Sequence, residues 1–302
     1  TMSPTTHIGL AHGNGGRHMR DLIREVFGRH LANPLLDGDA DAVALPDGEG
    51  ILMCSTDGFT VSPREFPGGC LGSLAVHGTV NDLAVAGATP LYLTVNAFIE
   101  EGLTMEELER HAAALGKAAR AANVAVVAGD TKVVPRGEGS GLYLATTGIG
   151  RRPAGIDLGM DRIRPGDRIL VSGPVGDHGT AVMLAREQFG LRGDLQSDAA
   201  SVTGLAAELR ALPGVRFMRD PTRGGLATVA HEIAESTGLG IELEEAGIPV
   251  NGPVQAVCEM LGFDPYFLAC EGRVVAVVAP EAADEAQATW RSRPEGTRAA
   301  LI

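Results

Sequence analysis

Three aspartates stand at junctions rich in small residues: Asp57 in Ser55-Thr56-Asp57-Gly58, Asp82 in Thr79-Val80-Asn81-Asp82 and Asp130 in Gly129-Asp130-Thr131-Lys132. Asp57 and Asp130 each end an apolar run of strand character, where a carboxylate can project into a shared crevice. Asp82 falls inside Leu71–Ala86, an apolar stretch that reads as a helix, and a carboxylate buried there is costly unless it is paired or faces a cation. Mg²⁺ takes oxygen ligands and keeps waters and substrate phosphates, so a few scattered carboxylates suffice for it, with Asp39 and Asp41 as further donors. Any one of these residues would also serve as a cap or a turn. Three of them beside a glycine-rich loop tip the balance toward a metal–nucleotide site.

That loop is His12-Gly13-Asn14-Gly15-Gly16-Arg17. Its glycines free successive N–H groups to point at one anion, and a basic residue and a helix beginning nearby add to the field. Lys132 follows Asp130 directly, where an ammonium could neutralise a transferring phosphoryl group or lower the pKa of a nearby thiol. In the second half, Asp220-Pro221-Thr222-Arg223-Gly224-Gly225 opens a helix, so amides and Arg223 converge on one anion position. Ser172-Gly173-Pro174-Val175-Gly176-Asp177-His178-Gly179 repeats the strand, glycine turn and helix. Glu271, in Cys270-Glu271-Gly272-Arg273, precedes an apolar strand and has the chemistry of a base; spacing alone fits a solvated strand-end carboxylate equally well. There is no GxxxxGK[ST] loop, no dinucleotide fingerprint and no paired Cys or HExxH zinc motif, so phosphate chemistry here requires another architecture.

The elements that must position these groups alternate along the chain. Strand-like runs recur at 50–55, 124–128, 142–146, 168–172, 240–243 and 273–279. Helical spacing is clearest over 104–123, where Thr104 and Glu107 form a capping box ahead of Leu108, Ala112, Leu115 and Ala119. Further helices are expected over 222–237 and 280–293. Residues 298–302 read as the opening of another strand with nothing to pair it. Turn-rich stretches between 150 and 167 predict an amino-terminal domain over 1–150 and a carboxy-terminal α/β domain over 160–302.

Composition bounds the function. The chain has 302 residues, 38 acidic against 25 basic side chains and a net charge of −13, which argues against a surface that grips nucleic acid. With 44% hydrophobic residues it is an ordinary globular protein, and no apolar run approaches the ~18 residues of a membrane span. The four cysteines lack a disulfide or CxxC pattern and the amino end lacks a secretory signal, so a cytoplasmic protein with reduced thiols is expected.

Taken in order, Ala11–Gly16, Phe66-Pro67-Gly68-Gly69, Gly78–Leu83, Gly129–Val134, Gly176-Asp177-His178-Gly179, Asp220–Gly225 and Glu271-Gly272 resemble the HypE family of hydrogenase maturation proteins. That family lies within the superfamily of aminoimidazole ribonucleotide synthetase and selenophosphate synthetase. The resemblance covers essentially the whole chain, and Asp130–Val134 with Gly176–Gly179 points to HypE rather than to its relatives. It implies a PurM-like pair of domains: an α+β domain whose sheet pairs across a homodimer, then an α/β sandwich domain. It also implies ATP with Mg²⁺ on Asp57, Asp82 and Asp130, with Asp39 and Asp41 as further donors. Gly13, Asn14, Gly15, Gly16, Asn81, Thr131, Asp220, Thr222 and Arg223 would contact or orient the nucleotide. Lys132 and Glu271 resemble the pair that handles protons.

The activity so implied is ATP-dependent dehydration of a carbamoylated C-terminal cysteine to a thiocyanate, which supplies cyanide for the iron of [NiFe]-hydrogenase. The implied partners are a HypF-like carbamoyltransferase and an iron-carrying scaffold like HypC–HypD. The family ends in a Pro-Arg-Ile-Cys-like tail that this sequence does not reach, so the chain as given is expected to bind ATP without carrying the carbamoyl group itself. Two other functions compete: a relative that phosphorylates a free small molecule, such as a thiamine-monophosphate kinase or selenophosphate synthetase, and a docking module without turnover. The Gly129–Val134 segment and the lack of an amino-terminal Cys or Sec nucleophile disfavour the first.

Overall fold

The computed structural model describes residues 6–13, 17–36, 45, 47–186 and 194–302. They fall into two compact units. The first takes the described residues of 1–64 with 70–80 and 90–151; the second takes 65–69, 81–89 and the described residues of 152–302. The expected break near 150–160 is therefore joined by two short exchanges earlier in the chain.

In the first unit, β1 (Ile51–Phe59), β2 (Thr89–Glu100), β3 (Ala125–Val134) and β4 (Leu142–Arg152) form a four-stranded sheet in the order β1-β4-β2-β3. Strands β2 and β3 are parallel, with Asn96 opposite Asp130 and Phe98 opposite Lys132. A parallel pair needs a crossover, and the helix Met105–Ala121 between them supplies it. Thr104 caps that helix by accepting the Glu107 N–H at 3.1 Å. The Glu107 carboxylate, instead of completing the capping box, pairs with Arg64 Nε at 2.7 Å. Leu108, Ala112, Leu115 and Ala119 face the core as the periodicity requires.

The helix Leu71–Val85 is buried on nearly every side, as its all-round apolar sequence demands. Its residues up to Val80 belong to the first unit and those from Asn81 to the second. We label the helices in chain order: α1 is Leu71–Val85 and α2 is Met105–Ala121.

The second unit contains β5 (Arg168–Val171), α3 (Asp177–Ala185), α4 (Thr203–Leu209), β6 (Val215–Arg219), α5 (Gly225–Thr237), α6 (Gly252–Leu261), β7 (Val275–Val278), α7 (Ala283–Arg291) and β8 (Ala300–Leu301). Its sheet runs β8-β5-β7-β6, antiparallel throughout. Alternate residues of each strand enter different cores. Leu170, Ala276 and Val278 pack with Leu205, Leu209 and Trp290, whereas Ile169, Val171, Val275 and Val277 pack with Leu226, Val229 and Ile233. Helices thus cover both faces, and this explains why 274–279 reads as an unbroken apolar run. The expected α+β and α/β architecture holds.

Two local expectations are corrected. Residues 240–243 form no strand: Ile241 and Leu243 lie against the α5-side core without joining a ladder. Residues 298–302 do find a partner, because Ala300 and Leu301 pair antiparallel with Val171 and Leu170. No described helix is long and apolar enough to cross a membrane.

Candidate functional site

In the first unit, the candidate groups sit on the sheet and are open to solvent. Asp57 on β1, Asp130 on β3 and Lys132 on β3 are all exposed, and Thr131 between the last two is buried. Each aspartate turns one oxygen onto the next backbone amide: Asp57 Oδ1 accepts from Gly58 at 2.7 Å and Asp130 Oδ1 from Thr131 at 2.8 Å. The amino-terminal glycine segment comes to the same strand. A Cβ on Gly13 would lie 2.9 Å from Val133 Cβ and 3.3 Å from the Val133 amide nitrogen, so only a glycine lets this backbone lie on β3 beside Lys132. His12, buried, ties the turn by its Nδ1 to Gly9.

Gly13 and Asp130–Lys132 are therefore brought together. Asp57 is not with them: β1 and β3 are the two outer strands, three spacings or roughly 14 Å apart at ~4.8 Å per strand. Among the described residues no three His, Cys, Asp or Glu side chains form a metal-binding group. Asn14, Gly15, Gly16, Asp39 and Asp41 lie outside the described residues. On this strand the first unit brings together the close backbone approach of Gly13, a carboxylate and an ammonium. Such a set fits a metal ion that arrives with its own phosphate oxygens rather than one held in a protein cage.

In the second unit the groups are buried and joined to one another. Asn81 is 1% exposed, and its amide is engaged with backbone: Nδ2 donates to the carbonyls of Ala200 at 3.0 Å and Glu271 at 3.3 Å, and Oδ1 accepts from Val202 N–H at 2.8 Å. Asp82 follows it, half-buried. Asp220 is buried, Thr222 half-buried and Arg223 exposed. The turn after them needs left-handed backbone at Gly224 and Gly225, and a side chain at Gly225 would strike the carbonyls of Tyr266 and Leu268. The Cys270 N–H donates to Pro221 O at 2.9 Å, which fixes this turn to the segment that carries Glu271. Asn81, Asp220–Thr222 and Glu271, distant in sequence, are thus one assembly.

Behind Glu271 lies a charged layer that its motif did not announce. Asp198, with its side chain 1% exposed, accepts the Glu271 N–H at 3.1 Å and stands 3.5 Å from Arg273 Nε. Arg273 also donates to Pro174 O at 3.0 Å and lies 3.7 Å from Asp177, whose two oxygens accept from Asn251 at 2.9 and 2.8 Å. Burial raises the Asp177 and Asp198 carboxyls above their ordinary range, Asp198 to about 6, against the pull of Arg273. A cavity of about 430 Å³ opens beside this layer, lined by Asp198, Asn251, Arg273, Glu295 and Arg298 among others.

His178, pushed down to about 4 by burial, is neutral and lies 2.8 Å from the Ser197 hydroxyl. The Phe66 ring meets it edge-on at 5.3 Å. Cys270 is fully buried, its sulfur accepts the Gly176 N–H at 3.2 Å, and burial raises its thiol far above the usual range.

The chain resembles known proteins along nearly its whole length. Residues 38–152 match the family model of the AIR synthase related protein, N-terminal domain, and residues 164–302 that of its C-terminal domain. The carbamoyl dehydratase HypE of Rhizobium leguminosarum bv. viciae is 48% identical over 98% of this chain and 85% of its own length. A crystal structure of hydrogenase maturation protein HypE in complex with ATP superposes with a TM-score of 0.93 at 45% identity, over 97% of this chain and 88% of that one. A HypE–HypF complex gives a TM-score of 0.82 at 42% identity, covering 93% and 92%.

Proposed function

This chain belongs to the HypE family of carbamoyl dehydratases, and on that premise we propose that it dehydrates an S-carboxamide on a cysteine-ended tail to the thiocyanate, at the expense of ATP. The observation that carries the reading is the pairing of Gly13 with Asp130–Lys132 in one unit and of Asn81 with Glu271 in the other. These are the segments to which the family resemblance assigns nucleotide and proton chemistry. Bound ATP supplies the phosphoryl group with which the carboxamide oxygen departs as phosphate. The Gly13 backbone lies against β3, and Asp130 on the same strand would offer one carboxylate oxygen to a Mg²⁺ that arrives with the triphosphate. Lys132 places an ammonium against the negative charge that builds on the departing oxygen. One N–H proton is lost as the carboxamide oxygen takes the phosphoryl group, and Glu271 accepts the other as the C≡N bond forms and phosphate departs. Asn81 serves the reaction by holding the Glu271 peptide, in the unit that also carries Thr222 and Arg223.

The reading extends to partners. β1 is an outer strand nine residues long whose apolar beginning leaves Ile51 and Leu52 exposed at 49% and 62%, an edge of the kind that a second copy covers. We therefore assign homodimer formation to this sheet. A HypF-like transferase would deliver the carbamoyl group, and a HypC–HypD-like scaffold would take the cyanide onto iron, in the cytoplasm, where the four free cysteines remain thiols.

The decisive experiment uses the chain with a cysteine-ended C-terminal extension, carbamoylated by its transferase and then given ATP and Mg²⁺. Mass spectrometry is expected to show the loss of one water at that cysteine. A tail that stays carbamoylated while nucleotide is bound overturns the assignment.

A further inference from the structure

We propose that Asp198 is the positioning residue of Glu271: together with Asn81 it grips the Glu271 peptide at both ends and so aims the carboxylate. The proposal rests on the role given to Glu271 above and adds a residue for which no motif speaks.

The grip is complete at the level of the backbone. The Glu271 N–H donates to Asp198 Oδ1 at 3.1 Å, and the Glu271 carbonyl accepts from Asn81 Nδ2 at 3.3 Å and from the Ala200 N–H at 3.3 Å. The segment that presents Asp198 has no helix or strand of its own, yet it is fastened along its length. The Ser197 N–H donates to Pro67 O at 2.8 Å and its hydroxyl meets His178. Ala200 O and the Val202 N–H are both held by Asn81.

Gly272 completes the fit, since a Cβ there would collide with the Asp198 carbonyl oxygen. Asp198 Oδ2 accepts no hydrogen bond among the described residues and stands 3.5 Å from Arg273 Nε, while the Glu271 and Gly272 amides also favour the anion. A carboxylate buried in this way is a poor source of stability. Its geometry serves the Glu271–Gly272 backbone that it holds.

The surroundings also predict a pH signature. The charged and titratable groups facing Asp198 are Arg273, which favours its anion, Asp177 beyond that guanidinium, and the neutral Cys270 thiol. Protonation near pH 6 weakens both the acceptor for Glu271 N–H and the ion pair to Arg273.

The test has two arms. Hydrogen exchange on the chain as it stands reads the Glu271 amide directly: Asp198→Ala is expected to speed its exchange roughly tenfold. In the cysteine-extended chain, Asp198→Ala is expected to cut the dehydration kcat on the order of a hundredfold, with the KM for ATP within about twofold. Should the alanine variant fail to fold, Asp198→Asn decides. It keeps an acceptor oxygen and cannot titrate, so the acid limb of kcat near pH 6 should vanish, which a merely structural side chain would not cause. Unchanged amide exchange, or an unchanged acid limb in Asp198→Asn, overturns the proposal. If the wild-type chain fails to dehydrate at all, the function assigned above falls, while the exchange arm still decides whether Asp198 holds Glu271.

Discussion

The two units handle charge in opposite ways. On the sheet of the first, Asp57, Asp130 and Lys132 stand in water, each a separate group on a strand. In the second, Asp177, Asp198 and Arg273 are withdrawn from solvent and held by one another, by Asn251 and by backbone, with only Asp198 Oδ2 of the two carboxylates left without a hydrogen bond among the described residues. Exposed groups cost the fold little and depend on a ligand's charges to organise them. Buried groups are costly to keep but are already aimed, which is the condition for moving a proton without reorganisation. The first region is thus suited to gripping a polyanion that brings its own metal, and the second to holding one base still.

This contrast can be broken or sharpened by substitution and by acid. The largest effect is expected from Gly272→Ala, which drives a methyl into the Asp198 carbonyl. It should destabilise the second unit by about 4 kcal/mol or more, seen as a lowered or split thermal transition, and a change below about 1 kcal/mol would show that the layer is loose.

Acid should act next. His77 on α1 and His178 on α3 are both pushed down to about 4 by burial, so each contributes stability above its unfolded pKa near 6.5 that is lost as pH falls through 4, at most about 3 kcal/mol apiece. In the first unit Glu100, held low by the Gly137 and Gly141 amides, is lost in the same direction. In the second, Asp198 and Asp177 run the other way, because a raised carboxyl favours the fold as pH falls. Amide exchange between pH 7 and 4 should therefore show the first unit loosening before the second.

Asp130→Ala comes third: Mg²⁺-dependent ATP binding, measured by calorimetry, should weaken about tenfold, with stability changed by less than about 0.5 kcal/mol. A comparable loss of stability would mean that Asp130 is structural. Thr104→Ala should cost about 1 kcal/mol through the lost cap, with nucleotide affinity unmoved.

Much of this was legible in the sequence, for a local reason. The α2 stripe, the apolar α1 and the glycine-rich turns each follow from neighbours within a few residues. β2 was missed although Leu93, Val95, Ala97 and Ile99 alternate into the core, a period of two that should have marked it. The run 240–243 has the composition of a strand, yet a strand requires a partner edge, and its apolar side chains are buried without one. Residues 300–301 erred the other way, since their partner β5 lies some 130 residues back.

Of the site, the aspartates, Lys132 and Glu271 were visible as residue types at small-residue junctions. Asp198 was not, because Ser197-Asp198-Ala199 looks like any polar loop. Its burial comes from contacts with Glu271 and Arg273, more than seventy positions away. The one available hint was Gly272, a glycine placed where a neighbouring backbone must approach.

The thiol that adjoins Glu271 carries a consequence for the proposed product. A thiocyanate is an electrophile toward thiolates, and a reactive cysteine beside the base would intercept the cyano group before it reached any acceptor. Cys270 is fully covered, its sulfur occupied by the Gly176 amide and its proton retained by the absence of solvent. The neighbourhood of the proposed base is thereby rendered inert toward its own cargo.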